Sequence, residues 1–292
     1  MTTVTLEEHL NHDCFCVDVD HDRVWSVVEA AAVGVVPVNL LREHRPHLFS
    51  TAPVYLSQDH LAAMGGIVRA IEAAAQLGPF QDAVLAWAPE IAKLDLGPRG
   101  AFMGYDFHLT SAGPKLIEVN TNAGGAFLNA LLAQAQVACC PEIRAMVPEA
   151  APLADFEADV LRMFLGEWAL QGRVGRPPVV AIVDDAPPEQ YLYPEFLLAQ
   201  AFFERHGMDA VIADPRDLRF EAGRLRLGDL AIDLVYNRLV DFALAEPASA
   251  ALRAAYLADA AVVTPNPRHH ALLADKRNLT LLSDPVRLEA LG

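Results

Sequence analysis

The second half of the chain alternates short apolar runs with amphipathic stretches. Val179–Val183 is a continuous apolar run of strand length, which is typical of a strand covered on both faces. Tyr193–Arg205 has helical spacing and stops just before Gly207, a residue type that often follows the last turn of a helix. Further strands are predicted at 209–213, 232–238 and 261–264, a small hairpin at 218–227, and a helix at 248–260. This alternation predicts a parallel, Rossmann-like α/β sheet.

The first half is predicted to contain helices and one hairpin. Residues 1–56 show no clear pattern, but Ser57 is a suitable N-cap, and apolar residues recur at helical spacing after it. Two short apolar strands, at 101–107 and 115–119, flank Gly113-Pro114 and predict an antiparallel hairpin. Further helices are predicted at 80–92, 127–137, 155–170 and 269–283.

The composition changes at 172–178, where the run Gly-Arg-Val-Gly-Arg-Pro-Pro predicts a domain boundary. The chain is therefore expected to divide into an α+β part at 1–172, an α/β part at 173–266 and a further segment at 267–292.

Composition and charge limit the classes of function. The 292 residues are 53% hydrophobic and 21% charged, enough for a globular core. The net charge of −16 argues against a nucleic-acid or anionic membrane partner. We find no apolar run long enough to span a membrane, no signal-peptide pattern and no disulfide framework among the four cysteines. A cytoplasmic protein is therefore expected.

The segment Leu116-Ile-Glu-Val-Asn-Thr-Asn-Ala-Gly-Gly125 carries the most informative chemistry. Because side chains alternate along a strand, Glu118 and Asn120 should project from the same face. A carboxylate and an amide oxygen suit Mg²⁺, which prefers oxygen ligands and bridges phosphates. Gly124 and Gly125 would let the backbone approach a ligand, and the following helix N-terminus favours anions. The alternative is an ordinary strand end followed by an Asx-rich turn.

This segment resembles the E-x-N magnesium motif of the ATP-grasp ligases. Its position before the α/β part is similar to the circularly permuted branch, which includes glutathione synthetase and glutathionylspermidine synthase. Asp233-Leu-Val-Tyr-Asn-Arg238 resembles the strand whose arginine faces the substrate in that branch. Leu272-Leu-Ala-Asp-Lys276 resembles the helix whose lysine reaches ATP phosphate. The resemblance extends over about 101–284 and depends on the joint order of these motifs.

The resemblance implies a fold, a cofactor and a set of roles. The fold is a Rossmann-like substrate domain (173–266) inserted in an incomplete ATP-grasp-like α+β domain, whose nucleotide-binding segment begins at 267. Glu118 and Asn120 would hold Mg²⁺, and Arg238 would pair with a substrate carboxylate or acyl phosphate as the catalytic residue. The remaining implied contacts are with ATP, through Lys276, Asn122, Gly124 and Gly125, and with the substrate, through Tyr105, Asp106, His108 and Asn237.

Two departures from the family pattern change the expectation. Gly104 stands near the point where the branch commonly has an arginine that binds a peptide substrate, which argues against a glutathione-type substrate. The sequence also ends before the segment that would supply a second lysine, a glycine-rich lid, the adenine-contacting hinge and another metal-binding carboxylate. We therefore expect this polypeptide alone to bind ATP poorly.

Other residues have both a chemical and a structural interpretation. Cys14 and Cys16 with His9, His12 and His21 lack the usual zinc spacing, and the adjacent Cys139 and Cys140 lack a diagnostic histidine, so buried thiols are favoured. His269-His270 is interpreted as a helix start. Asp184-Asp185 follows a predicted parallel strand and would line a ligand crevice or a solvated loop. Strict dinucleotide-binding, P-loop and nucleophile-elbow motifs are absent from the sequence.

The sequence therefore predicts an ATP-dependent ligase that joins a small-molecule carboxylate to an amine through an acyl phosphate, with Mg²⁺ and ATP as cofactors. Catalysis would depend on positioning and charge neutralisation. Two alternatives stay open. One is a non-catalytic α/β module that binds a small molecule or a partner chain. The other is an interaction protein that forms a homo-oligomer through an apolar face.

Overall fold

The computed structural model describes residues 10–11, 21–31, 42–50, 54–135, 145 and 151–291. The helices of this part are α1 (His21–Ala31), α2 (Gln58–Ala74), α3 (Gly78–Leu85), α4 (Ala126–Ala135), α5 (Leu153–Leu170), α6 (Tyr193–Arg205), α7 (Ala250–Leu257), α8 (Pro267–Leu273), α9 (Asn278–Leu282) and α10 (Pro285–Leu291). The strands are β1 (Gly104–Thr110), β2 (Gly113–Asn120), β3 (Val179–Val183), β4 (Asp209–Ala213), β5 (Leu218–Glu221), β6 (Arg224–Leu227), β7 (Leu230–Ile232), β8 (Leu234–Asn237) and β9 (Val262–Thr264).

A four-stranded parallel sheet forms the centre of the protein, in the order β4-β3-β8-β9. All five residues of β3 are buried, because apolar clusters cover both faces of the sheet. Phe164, Phe202 and Tyr236 belong to the cluster on one face, and Leu225, Leu252 and Val263 to the cluster on the other. The predicted mixed α/β architecture with a parallel sheet is confirmed. The three-part division of the chain stays a prediction.

The strand predicted at 232–238 is wrong as a single element. The chain changes sheet at Asp233: β7 pairs with β6 in a three-stranded antiparallel sheet, and β8 joins the parallel sheet. The Asp233 carboxylate accepts hydrogen bonds from Val179 N (3.2 Å) and from Arg224 (3.0 Å). A continuous apolar run does not reveal such a break, because the residues on either side of it are both buried in a sheet.

The predicted hairpin is present with different bounds. β1 begins at Gly104 and pairs antiparallel with β2, and Gly113-Pro114 belongs to β2 while the turn lies at 111–112. The register shifts between Asp106 and Phe107, so β2 carries one extra residue at this point.

Two of the predicted helices are interrupted. In place of one helix at 80–92, α3 ends at Leu85 and a 3₁₀ turn covers Glu90–Lys93, since Pro89 cannot continue an α-helix. In place of one helix at 269–283, α8 and α9 flank a turn at 274–277. The Asn278 side chain stabilises this break by donating to two carbonyls at the end of α8, those of Ala271 (2.8 Å) and Leu272 (3.0 Å).

The other helices agree closely with their predictions. α6 has the predicted bounds, and Gly207 follows it with φ +75°. α5 begins two residues before the predicted start, and a 3₁₀ turn precedes α7. α4 covers 126–135; residues 136 and 137 lie outside the described part. None of the described helices combines the length and the apolarity needed to cross a membrane.

Ser57 caps helix α2 as predicted, because its hydroxyl accepts a hydrogen bond from His60 N at 3.1 Å. Ser57→Ala removes this acceptor from the first turn, so we expect the free energy of unfolding to fall by about 1 kcal/mol. Urea denaturation measures the change. Ser111→Ala, in the exposed hairpin turn, is the matched control, and equal effects of the two substitutions would contradict the capping role.

Candidate functional site

The open end of the β1–β2 hairpin brings two carboxylates and a carboxamide together. Glu118 and Asn120 project from the same face of β2, and Asp106 of β1 lies directly opposite Glu118. The Asn120 amide donates to Glu118 Oε1 and to Asp106 Oδ2, each at 3.3 Å. We call these three residues the acidic cluster. Its position follows from strand alternation in β2 and from the pairing of Asp106 with Glu118.

Lys276 extends to the acidic cluster from the turn between α8 and α9. Its Nζ lies 2.7 Å from Glu118 Oε2. The Lys276 hydrogen bond is the largest cause that lowers the pKa of Glu118, followed by the hydrogen bond from Asn120. Glu118 in turn raises the pKa of Lys276. Both groups are therefore charged at neutral pH, while the lysine side chain is 70% exposed and free to reorient.

The donor set of the acidic cluster fits a hard divalent cation. Asp106 and Glu118 supply carboxylate oxygens, and rotating the Asn120 carboxamide about its terminal torsion presents its oxygen instead of its amide nitrogen. Among the described residues no group of three or more His, Cys, Asp and Glu side chains is arranged to hold a metal. The cluster contains only two such side chains, because its third donor is an asparagine.

Tyr105 and His108 are not part of this cluster. Tyr105 lies on the opposite face of β1, where its hydroxyl donates to Glu72 at 3.1 Å and burial raises its pKa. His108 is exposed opposite Lys115, further towards the hairpin turn, and no contact within the described residues joins it to Glu118. Of the three predicted substrate residues on β1, only Asp106 reaches the cluster.

The helix N-terminus after Gly124 and Gly125 already has an acidic side chain of the same chain as its hydrogen-bond acceptor. Glu195 of α6 is fully buried, and its carboxylate accepts hydrogen bonds from Phe127 N (2.9 Å) and Leu128 N (3.0 Å) in the first turn of α4. The expected ATP contact of the two glycines stays a prediction. Gly124 has a packing role here, since a Cβ at this position would lie 2.7 Å from Arg238 Nη2.

Arg238 joins the parallel sheet to the loop that follows Asn120. Only 8% of it is exposed, and its Nη1 donates to the carbonyls of Asn122 (2.5 Å) and Ala123 (2.9 Å). The guanidinium lies over the Tyr236 ring at 5.5 Å, and its Nε has no hydrogen-bond partner among the described residues. The arginine thus positions this loop, whether or not it also binds a substrate.

Asn237 and Asn122 bond mainly to the backbone. The Asn237 side chain donates to Pro265 O at 3.2 Å and accepts from Leu239 N at 3.2 Å. The Asn122 side chain donates to Leu239 O at 3.4 Å. The substrate and nucleotide contacts expected of these two residues stay predictions.

The carboxyl edge of the parallel sheet carries a second group of charges. The strand order reverses between β3 and β8, and at such a point the loops diverge and leave a crevice. Asp184 follows β3, and burial raises the pKa of its carboxyl to about 6, against the opposing effects of the Asp185 amide and the Arg238 charge. Asp214 follows β4, where the Arg216 side-chain hydrogen bond is the largest cause that lowers its pKa to about 2.

The other sequence candidates have structural surroundings or lie outside the described part. Asn266 caps α8 by accepting from His269 N, and His270 stacks on Phe242 at 3.5 Å, so the histidine pair begins a helix as interpreted. Burial lowers the pKa of each histidine to about 4. His9, His12, Cys14, Cys16, Cys139, Cys140 and the side chain of His21 lie outside the described residues.

Two buried glutamates were missed by the sequence reasoning. Glu195 occurs at helical spacing with Ala199 and Phe202, and Glu167 with Phe164, so each lies on an apolar helix face. A buried acid must be hydrogen-bonded, so a glutamate on an otherwise apolar helix face is the sequence signal that would have indicated these two residues.

No protein-family model and no curated protein sequence matches this chain.

Proposed function

We propose that this chain binds Mg²⁺ and ATP at the acidic cluster and Lys276, and that it belongs to an ATP-dependent ligase that joins a carboxylate to an amine. In this proposal the parallel sheet is a Rossmann-like substrate domain inserted in an ATP-grasp-like α+β domain. The resemblance of the E-x-N segment to the permuted ATP-grasp branch is one support. The other is the geometry of the site.

The meeting of Lys276 with Glu118 carries the proposal. These residues are far apart in the chain and come from different elements, yet the Nζ–Oε2 distance is 2.7 Å. A lysine that reaches two carboxylates beside a carboxamide suits the binding of a metal-bound phosphate. The metal would bind the carboxylate and carboxamide oxygens, and the lysine ammonium would bind the phosphate.

The chain's own residues would act by binding and orienting. Asp106, Glu118 and Asn120 would hold Mg²⁺, which supplies charge neutralisation at the phosphates. Lys276 would leave Glu118 and donate to a phosphate oxygen. Arg238 would keep the loop after Asn120 in place through its two carbonyl contacts. Such a site needs no protein nucleophile, because positioning and electrostatic stabilisation lower the barrier to phosphoryl transfer.

The experiment is calorimetric titration of the chain with ATP, with and without Mg²⁺. We expect weak, Mg²⁺-dependent binding, and an affinity about tenfold lower in Glu118→Ala and in Lys276→Ala, since each loses one charged contact. Arg219→Gln, an exposed cation in another sheet, is the matched control. If both cluster variants bind Mg·ATP as the wild type does, the proposal is wrong. If Mg·ATP binding does depend on the cluster, ADP release that requires both a carboxylate and an amine would identify the reaction as a ligation.

A small-molecule binding module is the second candidate, and the charged groups at the carboxyl edge of the parallel sheet favour it. A partly buried carboxyl with a raised pKa beside a guanidinium, at the point where the strand order reverses, is a typical ligand-binding arrangement. Ligand binding that depends on Asp184 but is accompanied by no ATP turnover would favour the module over the ligase.

A further inference from the structure

A cavity of about 410 Å³ lies between helix α2, the loop before β1 and helix α8. Its charged residues are Arg69 and Glu72 of α2 and Arg99 of the loop. Gln76 and His269 are its other polar residues, and its apolar residues include Met103 and Leu273. This volume is within the range of small-molecule sites. The function proposed above makes no use of the cavity.

The two arginines of this cavity differ from most others in the described part. Arg205 and Arg216, for example, form ion pairs with carboxylates. The Arg69 and Arg99 side chains form no hydrogen bond or ion pair with a described residue. In a chain with a net charge of −16, the lining of this cavity carries two such guanidiniums against one carboxylate, that of Glu72, so its formal charge is positive.

The wall that carries Arg99 is fixed by a buried acid. Glu167, 4% exposed, accepts hydrogen bonds from Arg99 N (2.9 Å), Gly100 N (2.7 Å) and the Thr264 hydroxyl (2.6 Å). Gly100 has φ +100°, and a Cβ there would lie 2.5 Å from the His269 ring. The loop is therefore tightly packed, and this reduces the ordering that ligand binding would require.

The opposite wall is formed by helix α2, which carries Arg69 and Glu72. The Arg69 guanidinium lies back along its own helix, where Cβ atoms at Gly65 and Gly66 would be in ordinary contact with it, at 3.4 Å and 4.0 Å. Glu72 is held by the Tyr105 hydroxyl at 3.1 Å.

We propose that this cavity is a second ligand site, which binds a small molecule through a carboxylate or phosphate group held by Arg69 and Arg99. Guanidinium groups bind both kinds of oxyanion through paired hydrogen bonds. Met103 and Leu273 would contact the apolar part of the ligand, and Glu72 would face a donor group on it. The site is separate from the acidic cluster. Tyr105, which donates to Glu72 at the cavity, and Asp106, which belongs to the cluster, are neighbours in β1 and so project from opposite faces.

The test is calorimetric titration with inorganic phosphate and with glutarate, at constant ionic strength. We expect saturable binding of at least one anion with a Kd of about 1 mM or lower, and the tighter of the two identifies the preferred group. Arg69→Gln and Arg99→Gln should each raise the Kd about tenfold, because each loses a charge-assisted contact. Arg219→Gln and Lys276→Met should leave it unchanged.

Three results would overturn the proposal. The first is no saturable binding of either anion by the wild type up to about 10 mM. The second is an unchanged Kd in the Arg69→Gln, Arg99→Gln double variant with wild-type circular dichroism. The third is loss of anion binding in Lys276→Met, which would assign the anion to the acidic cluster. Failure of Mg·ATP binding in the preceding experiment would not affect this outcome, since the probes contain neither magnesium nor nucleotide.

Discussion

Glu195→Ala should lower the free energy of unfolding by about 3–5 kcal/mol. The carboxylate is fully buried and accepts hydrogen bonds from Phe127 N and Leu128 N at the start of α4. The alanine variant leaves these two amide groups without their acceptor, and it also leaves a cavity. Glu195→Gln keeps the shape and one carbonyl oxygen, so we expect a smaller loss of about 1–2 kcal/mol. Urea unfolding followed by circular dichroism measures both.

Glu204→Ala is the matched control, since it removes an exposed glutamate from the same helix. We expect a change within about 0.5 kcal/mol for it. If Glu195→Ala unfolds at the same urea concentration as Glu204→Ala, the carboxylate does not stabilise α4, and the first turn of that helix has another partner.

The same carboxylate shows why the site was only partly predictable. The sequence Gly124-Gly125 before an apolar helix predicts an anion at the helix N-terminus, and a carboxylate does lie there. Local sequence could not identify it as Glu195, because the pairing joins α4 to α6 across the fold. That a hydrogen-bond acceptor meets this helix N-terminus was predictable; that it comes from Glu195 of the same chain was not, and the ATP contact of the two glycines stays a prediction.

The parallel sheet was well predicted because its strands are short, apolar and separated by clear breaks. β3 and β4 have the predicted bounds, as has α6. Errors occurred where the chain changes direction without a change in hydrophobicity, as at Asp233, or where a side chain interrupts a helix, as at Asn278. These breaks depend on tertiary contacts, which a one-dimensional pattern does not contain.

The acidic cluster combines a predictable and an unpredictable component. That Glu118 and Asn120 share a face follows from alternation in β2 alone. Asp106 enters through the register of the hairpin, which depends on where the turn and the extra residue lie. Lys276 reaches the cluster only because 269–283 breaks into two helices with this residue in the turn between them. The family resemblance, and not the periodicity, suggested that Lys276 belongs with Glu118.

Asp184→Asn should make the protein more stable at neutral pH, by about 1–3 kcal/mol. Burial raises the pKa of Asp184 from 3.8 to about 6 in the folded state. Below the pKa that Asp184 has in the unfolded state, the carboxyl is neutral in both states and its ionisation does not affect the free energy of unfolding. As the pH rises from about 4 to 6, the unfolded state ionises first, so the wild type loses stability; above pH 6 the loss is complete. Asparagine does not titrate and avoids this loss.

The measurement is the difference in unfolding free energy between Asp184→Asn and wild type, obtained from urea denaturation at several pH values. We expect little difference below pH 4, a growing advantage of the variant up to pH 6, and a constant one above. Asp229→Asn, at an exposed turn, is the matched control. A flat difference across this pH range would contradict the buried, raised-pKa carboxyl. A carboxyl with a raised pKa that is expected to lower stability at neutral pH, at the reversal of the strand order, is typical of a binding site, where ligand contacts and not folding determine the side chain.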